Sequence, residues 1–228
     1  MGATAKIQVQ PEDQADRKRN VAWARFRECL LDGRLQVGST LTQNELAEIL
    51  DISLTPLREL LVLLEDCQLL EVKQRAGVTI AYPDLEFIRE NLQFRAILEM
   101  SAIESFCLTV EQRWIDAQIS LHQSILAGLS DRSTTIGRHT SEAFDHPFHA
   151  AIIDSLENKG ISRTFQRVMD NVTLSQLVHR KSYTAEQISD TIDEHLRIID
   201  RIDARDPTGA KAALRSHFSL STHRIIGG

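Results

Sequence analysis

Cysteine is scarce in this sequence, and long apolar runs are absent. Cys29, Cys67 and Cys107 are its three cysteines, and they form no C-x-x-C pair. This spacing excludes a disulfide framework and indicates a reducing compartment, the cytoplasm. The beginning of the chain carries no apolar h-region and no apolar run approaches about 18 residues, so neither a signal peptide nor a membrane-spanning helix is expected.

An excess of positive charge is missing as well. The formal net charge is −6 over 228 residues. Residues 1–82 carry 10 Lys and Arg against 12 Asp and Glu, and residues 83–228 carry 16 against 20. Because proteins that bind nucleic acid through charge alone are basic, DNA binding by this chain must rest on a motif and a local patch.

The first 82 residues have the element order of a winged helix-turn-helix. A helix-periodic stretch is followed by a capping box, Thr42 with Glu45, and by two short helices with a tight turn between them. A short hairpin with glycine in its turn comes next. The predicted elements are a polar tail over 1–13, helices over 16–31, 43–50 and 54–66, and strands over 70–73 and 78–81.

The sequence beyond Tyr82-Pro83-Asp84 is almost entirely helix-periodic. This break predicts two domains, a DNA-binding domain over 14–82 and a second domain over 83–228. Short loops between helices are typical of an antiparallel bundle. The fold class is therefore mainly α, a winged helix-turn-helix followed by an all-α bundle. The predicted helices span about 84–108, 111–129, 133–157, 160–181, 185–204 and 207–225.

The start of the second short helix carries side chains suited to DNA. In a helix-turn-helix the N-terminal end of this helix enters the major groove. Ser53 and Thr55 can reach a phosphate, and Arg58, one turn further, can reach guanine or phosphate. A plainer interpretation is also open, in which Ser53 to Pro56 only begins a helix and Arg58 with Glu59 only forms a solvated face.

A pattern of residues runs through the helix-turn-helix and the hairpin. It consists of Leu41, Leu46, Ala47, Ser53, Thr55, Pro56, Arg58, Glu59, Leu64, Glu65 and Gly77. Through this pattern the stretch 33–77 resembles the winged domain of GntR-type bacterial transcription regulators. The resemblance implies that Asn44, Ser53, Thr55, Arg58 and Gly77 contact DNA.

Two positions depart from that family pattern. Leu54 stands where the family usually has Arg, and the missing contact predicts a shifted operator sequence or weaker binding. Gln68 stands where the family usually has Gly, directly after the recognition helix. A non-glycine residue in a left-handed conformation there predicts strain of about 1 kcal/mol.

Three histidines and one aspartate in the second domain have the types and spacing of metal ligands. Asp145 and His149 are four residues apart and share a helix face, and His195 and His217 lie on two later helices. Three imidazoles and one carboxylate would bind a divalent ion, Zn²⁺ or Ni²⁺ above all. Each histidine could instead be a hydrogen-bonded core residue. Asp145 would be an N-cap if the helix began directly before Pro147.

This quartet resembles the metal ligands of the FCD domain, the C-terminal domain of the FadR subfamily of GntR regulators. The resemblance also implies that Arg95 turns into the ligand cavity, although its spacing from Glu99 equally permits an i,i+4 salt bridge. The remaining histidines have no matching positions and are expected on the surface or on polar helix faces. They are His122, His139, His146, His179 and His223.

Together the two resemblances imply a ligand-responsive transcriptional repressor rather than an enzyme. It would bind operator DNA as a homodimer, and a small organic acid would complete the coordination of the metal. Two alternatives stay open. The chain could be a metal sensor, in which the ion is the signal, or a metal-dependent hydrolase, for which no general base such as the Glu of H-E-x-x-H is evident.

Overall fold

The computed structural model describes residues 14–66, 68–73, 76–129, 135–136, 138–179 and 183–226. The chain divides into two compact units, Met1–Tyr82 and Pro83–Gly228. None of the helices in the described residues combines the length with the apolar composition that a membrane span requires.

The described residues of the first unit, called the winged unit here, form three helices and a small antiparallel sheet whose strand order is β1-β3-β2. Strands β2 and β3 form the expected hairpin, with Leu70 opposite Ile80. The pairing of β1 with β3 was not predicted, because two residues are too few to show an alternating pattern. The elements are α1 (Gln14–Leu31), β1 (Thr40–Leu41), α2 (Gln43–Leu50), α3 (Leu54–Asp66), β2 (Leu70–Lys73) and β3 (Gly77–Ile80).

The helix-turn-helix is held by a cap, a leucine face and an arginine. The predicted capping box is confirmed, since the backbone N–H of Thr42 donates to Glu45 Oε2 at 2.7 Å and the Thr42 hydroxyl accepts in return at 3.2 Å. The leucines expected on one face of α3 are all buried. Between α2 and α3 the turn is braced by Arg25 of α1, which donates to Leu50 O at 3.0 Å and to Asp51 Oδ2 at 2.9 Å.

In the second unit, called the helical unit here, the described residues form six helices and a two-stranded ribbon of β4 and β5. The helix predicted from residue 133 begins instead at Arg138, and Thr135–Ile136 forms β4; residues 133, 134 and 137 lie outside the described residues. The elements are α4 (Leu85–Thr109), α5 (Gln112–Gly128), β4 (Thr135–Ile136), α6 (Arg138–Asp154), α7 (Lys159–His179), β5 (Tyr183–Thr184), α8 (Ala185–Asp203) and α9 (Pro207–Ile226).

Helix α4 lies centrally in this unit and packs against α6, α7, α8 and α9. Apolar side chains from these helices form the main core, which includes Ile103, Phe148, Ile199 and Leu214. The same interior contains buried histidines and charged side chains. Since an unpaired buried polar group costs free energy, the partners of these side chains indicate what the interior is built to do.

Candidate metal centre and DNA-binding surface

The structure brings the four sequence-predicted metal ligands together. Asp145 and His149 lie one turn apart on α6, while His195 comes from α8 and His217 from α9. One ligand atom from each of the four lies within 4.8 Å of all the others. The three imidazoles are buried, and Asp145 is partly exposed. Three helices therefore direct three nitrogens and one carboxylate at one point.

The inward nitrogens of this cluster lack hydrogen-bond partners. Within the described part of the chain, the Nε2 atoms of His149, His195 and His217 are all buried and unpartnered. Asp145 Oδ1 lies 3.6 Å from Nε2 of His149 and 3.5 Å from Nε2 of His195, beyond hydrogen-bond distance. Buried nitrogen lone pairs that face one another are costly unless a cation lies among them, so the residues fit a divalent metal ion.

The outward nitrogens, in contrast, are all engaged. His149 Nδ1 lies 2.5 Å from Glu99 Oε2, and His217 Nδ1 lies 2.8 Å from Glu194 Oε2. Metal-binding histidines usually donate the second ring N–H to such an acceptor, which fixes the ring and leaves the other nitrogen free for the ion. That Glu99 and Glu194 would accept hydrogen bonds from the imidazoles was not predicted, because charged residues on amphipathic helices usually face solvent.

Each of these two carboxylates is also paired with an arginine. Arg95 Nε donates to Glu99 Oε1 at 2.9 Å, and Arg224 donates two bonds to Glu194, at 2.7 and 2.8 Å. Burial on its own would raise the pKa of Glu194, but hydrogen bonds from Arg224 and His217 lower that pKa to about 2. Glu194 is therefore an anion at neutral pH and accepts the proton of the imidazole.

The charge states of the three imidazoles differ. Burial lowers the pKa of both His195 and His217 below the usual value, which favours the neutral, metal-binding form. Burial and Arg95 also oppose a charge on His149, but the facing carboxylates of Glu99 and Asp145 raise its pKa. These carboxylates therefore favour positive charge at this point of the cluster.

The alternative role of Asp145 as an N-cap is wrong. Helix α6 begins at Arg138, so Asp145 lies inside the helix and shares a face with His149. Pro147 also lies within α6 and is exposed, and it does not end the helix. A proline removes one backbone N–H from the helix ladder, which α6 tolerates here.

Arg95 forms the i,i+4 salt bridge with Glu99 through its Nε atom. Its Nη2 atom is buried, has no hydrogen-bond partner among the described residues and lies 3.7 Å from Asp145 Oδ2. Arg95 also lines a small cavity of about 30 Å³ next to the cluster. That volume accommodates one or two water molecules. The cavity is lined by Arg95, Asp145, Gln176, Tyr183, Thr191, His217, Ser221, Arg224 and Ile225.

The expectation that His122 lies on the surface or a polar face is wrong. Its side chain on α5 is fully buried, and its Nε2 atom lies 3.0 Å from His195 Nδ1. The available signal was its spacing of seven residues from Ile115, which places both on one buried face of α5. Of the other histidines, His223 is exposed and His146 is half-buried, with its ring parallel to that of Phe165. The side chains of His139 and His179 lie outside the described residues.

In the winged unit the residues expected to contact DNA lie at the surface. Asn44 on α2, Ser53 directly before α3, and Thr55 and Arg58 in the first turns of α3 are all exposed. They lie at the N-terminal end of the helix that would enter the major groove. Leu54, the departure from the family pattern, is exposed beside them.

Gly77 and Gln68 have unusual backbone conformations. Gly77, at the start of β3, has a φ of 103°, and a Cβ atom there would overlap the carbonyl oxygen of Leu41. Packing within the wing therefore requires glycine at position 77. Gln68 has a φ of 60°, which confirms the left-handed conformation expected for this position.

The chain matches two protein-family models. The model of the FCD domain matches residues 90–220, more than half of the chain. The model of the gntR family of bacterial regulatory proteins matches residues 19–80. This chain is a GntR-family regulator with an FCD domain. The family consists of transcription regulators, not enzymes, so the hydrolase alternative is set aside.

Similar proteins agree with this assignment. The Uxu operon transcriptional regulator of Escherichia coli is 24% identical, with 81% of this chain and 77% of that protein covered. YdhC of Bacillus subtilis, an HTH-type transcriptional regulator, is 22% identical, with 85% and 84% covered. Among solved structures, McbR/YncC of E. coli has a TM-score of 0.74 at 16% identity, with 92% of this chain and 97% of that chain covered. This last likeness concerns the fold alone.

Proposed function

We propose that this GntR-family regulator is a repressor that binds operator DNA as a homodimer and responds to a small organic acid held at a metal ion in the FCD domain. The observation that carries the proposal is the convergence of three buried, unpartnered Nε2 atoms on the carboxylate of Asp145. A DNA-binding protein has no need of such a cluster for its fold, since apolar side chains would fill the same space at lower cost.

The proposed ligands of the ion are Asp145, His149, His195 and His217. Their donor set of three nitrogens and one oxygen suits Zn²⁺ and Ni²⁺. When bound, the ion would supply positive charge that holds the carboxylate of an effector. The chain's own contribution is to orient the imidazoles through the acceptors on their Nδ1 atoms.

Arg95 is the proposed anchor for the effector. Its buried Nη2 atom has hydrogen-bonding capacity left over after the salt bridge with Glu99, and it borders the cavity next to Asp145. An organic carboxylate would pair with this guanidinium at close range. Because the cavity holds only about 30 Å³, its lining must move apart when an acid enters.

Elemental analysis tests the metal site. The wild-type protein, purified without chelator, should contain one divalent ion per chain, and His195→Ala should contain none. His223→Ala is the matched control, because His223 is exposed on α9 and should leave the metal content unchanged. A folded wild-type protein that takes up no Zn²⁺ or Ni²⁺ on dialysis would overturn the proposal.

The homodimer follows from the small DNA-contacting surface of one winged unit, which is acidic overall. A dimer that binds two half-sites of a pseudo-palindromic operator would reach an affinity for DNA that a single winged unit on one half-site cannot. Sedimentation should therefore show a dimer at micromolar concentration, and selected operators should contain inverted half-sites. A monomer that occupies its operator alone would contradict this part of the proposal.

The small size of the cavity favours a second candidate, a metal sensor. In this conformation the cavity beside the cluster measures only about 30 Å³. If the ion itself is the signal, operator affinity should change on titration with Zn²⁺ or Ni²⁺ alone. If an acid is the signal, the metal-loaded protein should respond only when the acid is added, and Arg95→Met should abolish that response.

A further inference from the structure

His122 is a buried polar side chain that belongs to no ligand set. It lies on α5, while the four proposed ligands lie on α6, α8 and α9. Its Nδ1 atom is 2.7 Å from the backbone carbonyl oxygen of Gln118, and its Nε2 atom is 3.0 Å from Nδ1 of His195. Both ring nitrogens are therefore used.

The carbonyl oxygen of Gln118 determines which ring nitrogens of His122 and His195 carry a proton. A carbonyl oxygen only accepts, so Nδ1 of His122 must carry the proton. In the neutral ring, Nε2 of His122 is then an acceptor, and Nδ1 of His195 must donate to it. The remaining nitrogen of His195, Nε2, is left with a bare lone pair that faces Asp145.

We infer that His122 is a positioning residue that holds His195 in the Nδ1–H tautomer, so that Nε2 of His195 presents its lone pair to a cation. The inference rests on the proposed metal site. The other two imidazoles are oriented by carboxylates, Glu99 and Glu194. Among the described residues, the acceptor for Nδ1 of His195 is the neutral imidazole of His122.

Aromatic side chains fix the two rings in place. The His195 ring stacks on Phe148 with centroids 4.3 Å apart. The His122 ring meets the rings of Phe144 and Phe148 at 75° and 74°, with centroids 5.5 and 5.8 Å apart. This apolar wall leaves Nδ1 of His195 little access to water as a substitute acceptor. Without His122, a proton on Nδ1 of His195 would lose its acceptor. A proton on Nε2 would instead face the negative charge of Asp145, whose Oδ1 atom lies 3.5 Å away, and would compete with the metal.

Two substitutions separate this role from packing. His122→Gln keeps an acceptor oxygen at about the reach of Nε2, whereas His122→Leu fills similar space without one. The affinity for Zn²⁺, measured by competition with a chelator, should fall about 10- to 100-fold in His122→Leu and stay close to wild type in His122→Gln. Circular dichroism of the metal-free proteins checks that both variants fold.

Nitrogen NMR of the imidazoles in the metal-free wild-type protein gives an independent readout. It should show His195 protonated at Nδ1 and bare at Nε2. Protonation at Nε2 would overturn the inference, and so would equal loss of Zn²⁺ affinity in the two folded variants or wild-type affinity in His122→Leu. If His122→Leu does not fold, the tautomer of His195 in the wild-type protein decides whether the inference holds. If the wild-type protein binds no Zn²⁺, the proposed metal site fails, and the tautomer measurement still tests the role of His122.

Discussion

The two units of this protein carry their candidate functional side chains in opposite environments. In the winged unit, Ser53, Thr55 and Arg58 are exposed, as suits a ligand as large as DNA, which approaches from outside. In the helical unit, the histidines of the cluster are buried, and each has its outer nitrogen engaged. A small ion must be desolvated and surrounded, so its ligands have to lie in the interior.

This difference predicts how function and stability are related in each unit. A surface side chain such as Arg58 can be removed without loss of packing, so its loss should affect DNA binding alone. A buried imidazole that faces other imidazoles is unfavourable until a cation is bound. At the proposed metal site of the helical unit, the metal-binding free energy would therefore become part of the folding free energy.

Metal removal should give the largest change. An ion that binds only the folded chain stabilises it by about 4 kcal/mol when its free concentration is 1,000 times the Kd. For a unit of this size, that corresponds to a fall in Tm of about 10 °C on chelation. Calorimetry of the full chain with Zn²⁺ and with excess chelator measures the shift. His217→Ala provides the control, since its Tm should be insensitive to both additions; an equal shift in that variant would place the ion elsewhere.

Much of this architecture could be predicted from the sequence. The bounds of α3 were predicted from the leucine face and the preceding turn, and the ligand quartet followed from its resemblance to FCD domains. What could not be predicted depends on tertiary contacts. His122 looks like any isolated histidine on a helix until α8 places His195 beside it. The ribbon of β4 and β5 consists of two-residue strands, too short for any periodicity.

Gly77→Ala should be the most damaging single change in the winged unit. A φ of 103° strains any residue with a Cβ, and here that atom would also overlap the Leu41 carbonyl. We expect a loss of about 3 kcal/mol in stability and loss of operator binding, with the metal content unchanged. Gly38→Ala is the matched control, because Gly38 also has a positive φ, 77°, but open space around it. Equal destabilisation of both variants would show that the overlap with Leu41 contributes nothing.

Arg58→Ala should weaken operator binding without unfolding the protein. The loss of one base or phosphate contact costs about 1–3 kcal/mol, or roughly 5- to 150-fold in Kd. Mobility shift with a selected operator measures the affinity, and calorimetry should show an unchanged Tm because Arg58 is exposed. Arg58→Lys distinguishes a phosphate contact from a base contact. A phosphate contact should largely survive the substitution, whereas a bidentate contact to guanine should not. Unchanged affinity in Arg58→Ala would remove this residue from the interface.

Gln68→Gly should have the smallest effect, and it is a gain. Gln68 follows the end of α3 with a φ of 60°, a conformation that costs a non-glycine residue free energy. The backbone N–H of Leu69 donates to Leu64 O at 2.8 Å, the bond of a helix end that requires this left-handed residue. Glycine should relieve the strain and raise stability by about 0.5–1 kcal/mol, measured as a higher denaturant midpoint.

Gln36→Gly, at an exposed position without a positive φ, should lower the midpoint instead, because glycine there only adds entropy to the unfolded chain. If Gln68→Gly also lowered the midpoint, the backbone at this position would not be strained.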